Sequence, residues 1–101
     1  MSYQTEIEKI DCAAAYLCSQ TGGVLAAKNG YITVGDFHRL LDFSKQEVEV
    51  FGQKWTRTSN GYNLYNKDHD IWLYPFVNPT RYLIVRDPCA KVNIERFENK
   101  K

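Results

Sequence analysis

Between residues 45 and 57 the chain places Lys45, Gln46, Glu49, Val50, Gln53, Lys54 and Arg57, which together offer donors, acceptors and cations on one short stretch. If the stretch is a helix with Val48, Phe51 and Trp55 turned inward, Gln46, Glu49, Val50, Gln53 and Arg57 share its opposite face. Such a face can read base edges. Glutamine pairs with adenine and arginine with guanine, glutamate accepts from cytosine, and valine touches a thymine methyl. Lys45, Lys54 and Arg39 then meet phosphates, and Lys67 does the same from a later loop. Against this, Glu47 and Glu49 near the leading end repel phosphate, and the same residues equally describe a solvated face with i,i+4 charge pairs.

A second set is aromatic. Tyr62, Tyr65, Trp72, Tyr74, Phe76 and Tyr82 crowd a short region rich in strand formers. Within it, Ile71-Trp72-Leu73-Tyr74-Pro75-Phe76 scarcely alternates, so both faces of a strand there are apolar. Tyrosine and tryptophan are enriched where proteins meet, so Trp72, Tyr74 and Phe76, with Val50 as a neighbouring apolar patch, form a candidate protein interface. Alternatively the C-terminal tail covers that face with Ile94 and Phe97. Pro75 lacks a backbone donor, which places its strand at an edge or a bulge, where pairing into a homodimer is possible.

Reactive side chains are sparse. Cys12 and Cys18 are too far apart to form a close ligand pair, and His38 has no partner at ligand spacing. Asp68-His69-Asp70 reads as a polar loop tip rather than a metal site. No glycine-rich phosphate loop occurs. The expectation is a protein that is not an enzyme, with no metal and no cofactor.

These side chains depend on the elements that carry them. Thr5-Glu6-Ile7-Glu8 fits a capping box, and Ile7, Ile10, Ala14, Leu17, Thr21 and Leu25 follow at helical spacing. Gly22-Gly23 costs about 2 kcal/mol within a helix, so the helix ends near Gln20 or bends and continues to Lys28. Thr33 then caps a helix with Asp36 at its third position, and Ile32 staples to Phe37. That helix ends near Leu41. Ser44 with Glu47 repeats the box, Phe43 staples to Val48, and a third helix runs to about Arg57. From Asn60-Gly61 the period changes, and Tyr62–Tyr65, Ile71–Phe76 and Arg81–Arg86 read as strands bounded by turns. The expected architecture is α+β: three N-terminal helices including a helix-turn-helix, then a three-stranded antiparallel meander. It forms a single domain over 1–101, helical to 58, stranded over 59–87, with a tail from 88.

Residues 30–57, GYITVGDFHRLLDFSKQEVEVFGQKWTR, resemble the helix-turn-helix segment of winged-helix DNA-binding domains. Thr33, Asp36, Leu40, Leu41, Ser44 and Val48 carry the match. The resemblance implies a regulatory protein with the 44–57 helix in the major groove and the 65–71 loop as a wing on the backbone.

Composition sets limits on these readings. With 13 basic and 12 acidic residues the net charge is +1, which gives no long-range pull toward nucleic acid or anionic membranes. At 44% hydrophobic and 14% aromatic, the 101 residues can bury a core without staples. Three cysteines cannot all pair internally, the N-terminal MSYQTEIEK lacks the apolar stretch of a signal peptide, and no apolar run spans a bilayer. A cytoplasmic setting is expected, with DNA or a protein as partner.

Overall fold

Strands dominate the chain. The computed structural model describes residues 3–77, 80–89 and 92. In chain order it contains helix α1 (Tyr3–Glu8), strands β1 (Ala14–Ser19) and β2 (Val24–Lys28), and helix α2 (Val34–Leu40). Five strands follow: β3 (Glu47–Val50), β4 (Gln53–Arg57), β5 (Asn63–Asn66), β6 (His69–Val77) and β7 (Thr80–Arg86). All seven strands form one sheet in the order β2-β1-β7-β6-β5-β4-β3, and every pairing is antiparallel. A hairpin, a short helix and a five-stranded meander are joined where β7 returns to lie beside β1, with Ala14 opposite Arg86 and Ser19 opposite Arg81.

This corrects the expected winged-helix-like arrangement. Residues 14–28 are a hairpin, not the continuation of the first helix, which stops at Glu8. The apolar run Ala14–Cys18 is buried throughout, as a strand with both faces covered requires. Its three-to-four spacing was coincidental, because periodicity alone cannot separate a buried strand from a buried helix. Gly22, at φ +97°, turns the chain under Phe37, and a Cβ there would lie 2.9 Å from Phe37 Cδ2.

Residues 44–57 are likewise a hairpin, so no helix-turn-helix exists in 30–57. Glu47-Val48-Glu49-Val50 alternates exposed and buried residues, the period of a half-buried strand. Phe51 and Gly52 both take positive φ, 54° and 73°, which is what a two-residue turn of the primed type needs. Ser44 caps nothing; its hydroxyl donates to Asp42 Oδ1.

Thr5 lies inside α1 and does not cap it, because the helix already begins at Tyr3, but several other local expectations hold. Thr33 Oγ1 accepts from the Asp36 N–H at 3.0 Å, and Ile32 and Phe37 are buried in the same core, so α2 begins as a capped, stapled helix. The three expected strands are present as β5, β6 and β7. Leu73 N–H donates to Tyr62 O, just before β5 begins; Pro75, two residues on, faces the same side past the end of β5, where no ladder donor is required. β6 is nevertheless interior, and the sheet edges are β2 and β3. The proposed tail contacts of Ile94 and Phe97 lie outside the described residues.

Two cores sit on opposite faces. Under α2, Tyr16, Phe37, Leu40, Val48, Trp55, Leu64, Ile71 and Ile84 form one cluster that extends from β1 to β3. Under α1, Ile7, Ala15, Leu17, Leu83, Val85 and Val92 form the other. Helix α1 packs on β1 and β2. Its Tyr3 ring lies 4.7 Å from the guanidinium of the buried Arg81. Gln4 reaches the outer edge of β2, where its side-chain amide accepts from Ala27 N–H at 3.1 Å and donates to Ala27 O at 2.7 Å. That pairing occupies backbone groups which a foreign strand would otherwise use. The opposite edge is guarded by the exposed Glu47 and Glu49.

Candidate functional site

The residues first considered for reading bases do not share a face. Lys45 and Gln46 lie in the loop before β3, Glu49 is on β3, Gln53 and Lys54 open β4, and Lys67 is in the β5–β6 turn. Gln53 Oε1 accepts from Asn66 Nδ2 at 3.1 Å. Arg57 is 5% exposed and turned into the protein. Its Nε donates to Lys45 O and its Nη1 to Gly61 O, each at 2.9 Å, and its Nη2 donates to Asp42 O at 3.1 Å and Arg39 O at 3.4 Å. The guanidinium also lies 5.0 Å from the Phe43 ring, which meets Tyr62 edge-on at 5.2 Å. Arg57 therefore ties together the loops at one end of the sheet. It satisfies carbonyls that have no strand partner.

The aromatic set is partly assembled. Val50 and Phe76, only 2% and 6% exposed, belong to the two cores and are not available to a partner. Trp72 and Tyr74 are half-buried on the α1 side of the sheet. They are joined on that side by Tyr65, which is 48% exposed and which the sequence reading left out of the site. The pairings Tyr65↔Asp70 and Asn63↔Trp72 place these residues side by side on β5 and β6. Among the described residues no helix covers this part of the face, because α1 packs over β1 and β2.

The platform is held from below by a short polar chain. Trp72 Nε1 donates to Asp70 Oδ2 at 2.8 Å, which fixes the indole. Asp70 N–H donates to Asp87 Oδ1 at 2.8 Å, and Asp87 N–H returns to Asp70 O at the same distance. Asp87 Oδ2 meets His69 Nδ1 at 2.9 Å. Burial and the Asp70 charge together hold the Tyr74 phenol above its ordinary value, so it stays a neutral donor at physiological pH. Glu47, Glu49 and Asp70 against Lys54 and the buried Arg81 leave this side of the meander slightly acidic.

A second concavity, which the sequence reading did not identify, opens on the α2 side. It is a groove of about 770 Å³ between the Asn29–Thr33 segment, the start of α2 and the β3–β4 turn. The ring of Tyr16 stacks on Phe51 at 5.6 Å, and Arg86 lies 5.5 Å from the other partner of that stack, the Phe51 ring. The turn dipeptide Asn29-Gly30 was the available sequence signal, since it marks a chain reversal that can wall a groove.

Among the described residues no group of three His, Cys, Asp or Glu side chains is placed to hold a metal ion, and no helix is long and apolar enough to cross a membrane. No known protein family, curated protein or solved structure matches the chain.

Proposed function

We infer that this chain is a non-catalytic binding module that engages a protein partner through Tyr65, Trp72 and Tyr74. The observation that carries this reading is the unequal cover of the sheet. One face is packed from β1 to β3 under α2, while the other leaves Tyr65 of β5 exposed and Trp72 and Tyr74 of β6 only half-buried. A tryptophan whose indole N–H is already satisfied, flanked by tyrosines, gives large contact area with little side-chain entropy left to lose. The acidic rim favours a partner surface carrying lysine or arginine around an apolar centre. Both edges carry blocking features, Gln4 on β2 and the glutamates on β3, which directs recognition to the face rather than to strand addition. The three free thiols fit a reducing, cytoplasmic setting.

The test is quantitative affinity capture with the wild type, Trp72→Ala and Val77→Ser, the last altering a fully solvated residue elsewhere. Proteins retained by the wild type and Val77→Ser but lost with Trp72→Ala support the face. Equal capture by all three removes it.

A further inference from the structure

The α2-side groove holds two hydrogen-bonding groups that the fold does not use. Tyr16 is 2% exposed, yet its hydroxyl has no hydrogen-bond partner among the described residues and lines the groove. The ring is enclosed while the hydroxyl itself opens to the groove, where a bound acceptor can reach it. Arg86 also lines the groove, and among the described residues its side chain makes no ion pair or hydrogen bond, its guanidinium lying 5.5 Å from the Phe51 ring.

The sheet sets these groups beside one another. Ala14 pairs with Arg86 and Tyr16 with Ile84, so Tyr16 and Arg86 are diagonal neighbours on one face of adjacent strands. Burial holds the Tyr16 phenol above its ordinary value, with the Arg86 charge acting in the opposite direction, so the hydroxyl remains a protonated donor. Gly30 keeps the approach open: a Cβ at that position would lie 3.0 Å from Tyr16 Oη.

We propose that this groove binds a carboxylate group, held by the forked guanidinium of Arg86 and the hydroxyl of Tyr16. A planar, two-oxygen anion matches an arginine fork and one further donor. The remaining charges select against a more highly charged anion. Asp36 also lines the groove and is matched by Arg39 at 3.1 Å, while Glu49 borders it only at the β3 edge, its side chain alternating to the other face from Val50. A phosphate dianion meets more repulsion there than a monoanion does. The volume lies within the range of small-ligand sites. The carboxylate comes either from a free small molecule or from the end of a peptide chain.

Titrations of the ¹⁵N-labelled full chain separate these sources. The probes are benzoate, a short peptide with a free C-terminal carboxylate, the same peptide C-terminally amidated, and inorganic phosphate. Saturable shifts of the Gly30, Phe51 and Gly52 amides are expected with a carboxylate probe and not with the amidated peptide. Binding of benzoate alone assigns a small-molecule ligand, and tighter binding of the free-acid peptide assigns a chain terminus. Arg86→Gln weakens binding by roughly tenfold or more and Tyr16→Phe by about fivefold, while Lys67→Gln has no effect. If Arg86→Gln does not fold, Tyr16→Phe, which removes a single oxygen, decides alone. The proposal is overturned by absent shifts, by phosphate binding more tightly than carboxylate, by equal binding of the amidated peptide, or by unchanged affinity in Tyr16→Phe. None of these outcomes bears on Trp72, which lies on the other face.

Discussion

Trp55 and Trp72 stand on β4 and β6, with one strand between them, and they point to opposite faces of the sheet. Trp55 is 1% exposed, and its indole N–H donates to Val50 O at 3.1 Å, within its own hairpin. Trp72 donates at 2.8 Å to Asp70 and leaves part of its ring in solvent. Both indoles are satisfied, so hydrogen bonding does not distinguish them; cover does. Helix α2 and the β3–β4 hairpin enclose one ring in the main core, whereas α1 is too short and too far along the sheet to reach the other. Both faces therefore carry a core, but among the described residues part of the α1 face, over β5 and β6, is covered by neither helix.

The comparison can be broken at either end. Trp55→Ala removes the largest fully buried side chain and should cost about 3–5 kcal/mol, read as a drop in the denaturation midpoint. A loss below about 1 kcal/mol would mean that this face is less tightly packed than described. Arg57→Lys comes next. A single ammonium cannot replace a fork that serves several carbonyls, so a loss of about 2–3 kcal/mol is expected, measured the same way. Trp72→Ala should reverse the pattern: stability falls by about 1 kcal/mol or less, while partner affinity falls by about 2 kcal/mol or more.

The smallest effect is electrostatic. The Ser44 hydroxyl, donating to Asp42, holds that carboxyl below its ordinary value of 3.8. A depressed native value contributes stability above the unfolded pKa and loses it as pH falls through the native one. Ser44→Ala should move Asp42 back toward 3.8 in a carboxyl NMR titration. The wild type and the variant should then differ slightly at neutral pH and converge in strong acid.

What could be read from the sequence follows the range of the interactions involved. The capped and stapled α2 depends on Ile32, Thr33, Asp36 and Phe37, all within one turn of each other, and it was legible. So were β5 to β7, whose aromatic and branched residues lie between clear turn residues, and so was the placing of Trp72 and Tyr74 on one face of their strand. The two N-terminal hairpins were not. The run from Ala14 to Cys18 is buried on both sides only because β7 returns beside it, a contact between distant parts of the chain. Phe51 occupies a positive-φ turn position that bulky residues rarely take, so Phe-Gly did not read as a hairpin turn. The strict alternation of Glu47 to Val50 was the contrary signal and outweighed the helical spacing of Val48, Phe51 and Trp55. Arg57 was assigned to the surface because arginine usually is; its burial depends on carbonyls from loops that only the folded sheet assembles.

The division between the two faces is tested most directly by acrylamide quenching of single-tryptophan variants, Trp55→Phe and Trp72→Phe, alone and with the captured partner. The free protein should show a quenchable, red-shifted emission from Trp72 and a shielded one from Trp55, and partner binding should protect Trp72 while leaving Trp55 unchanged. If Trp72 is as shielded as Trp55 in the free protein, or remains fully quenchable in the complex, this face is not the binding surface.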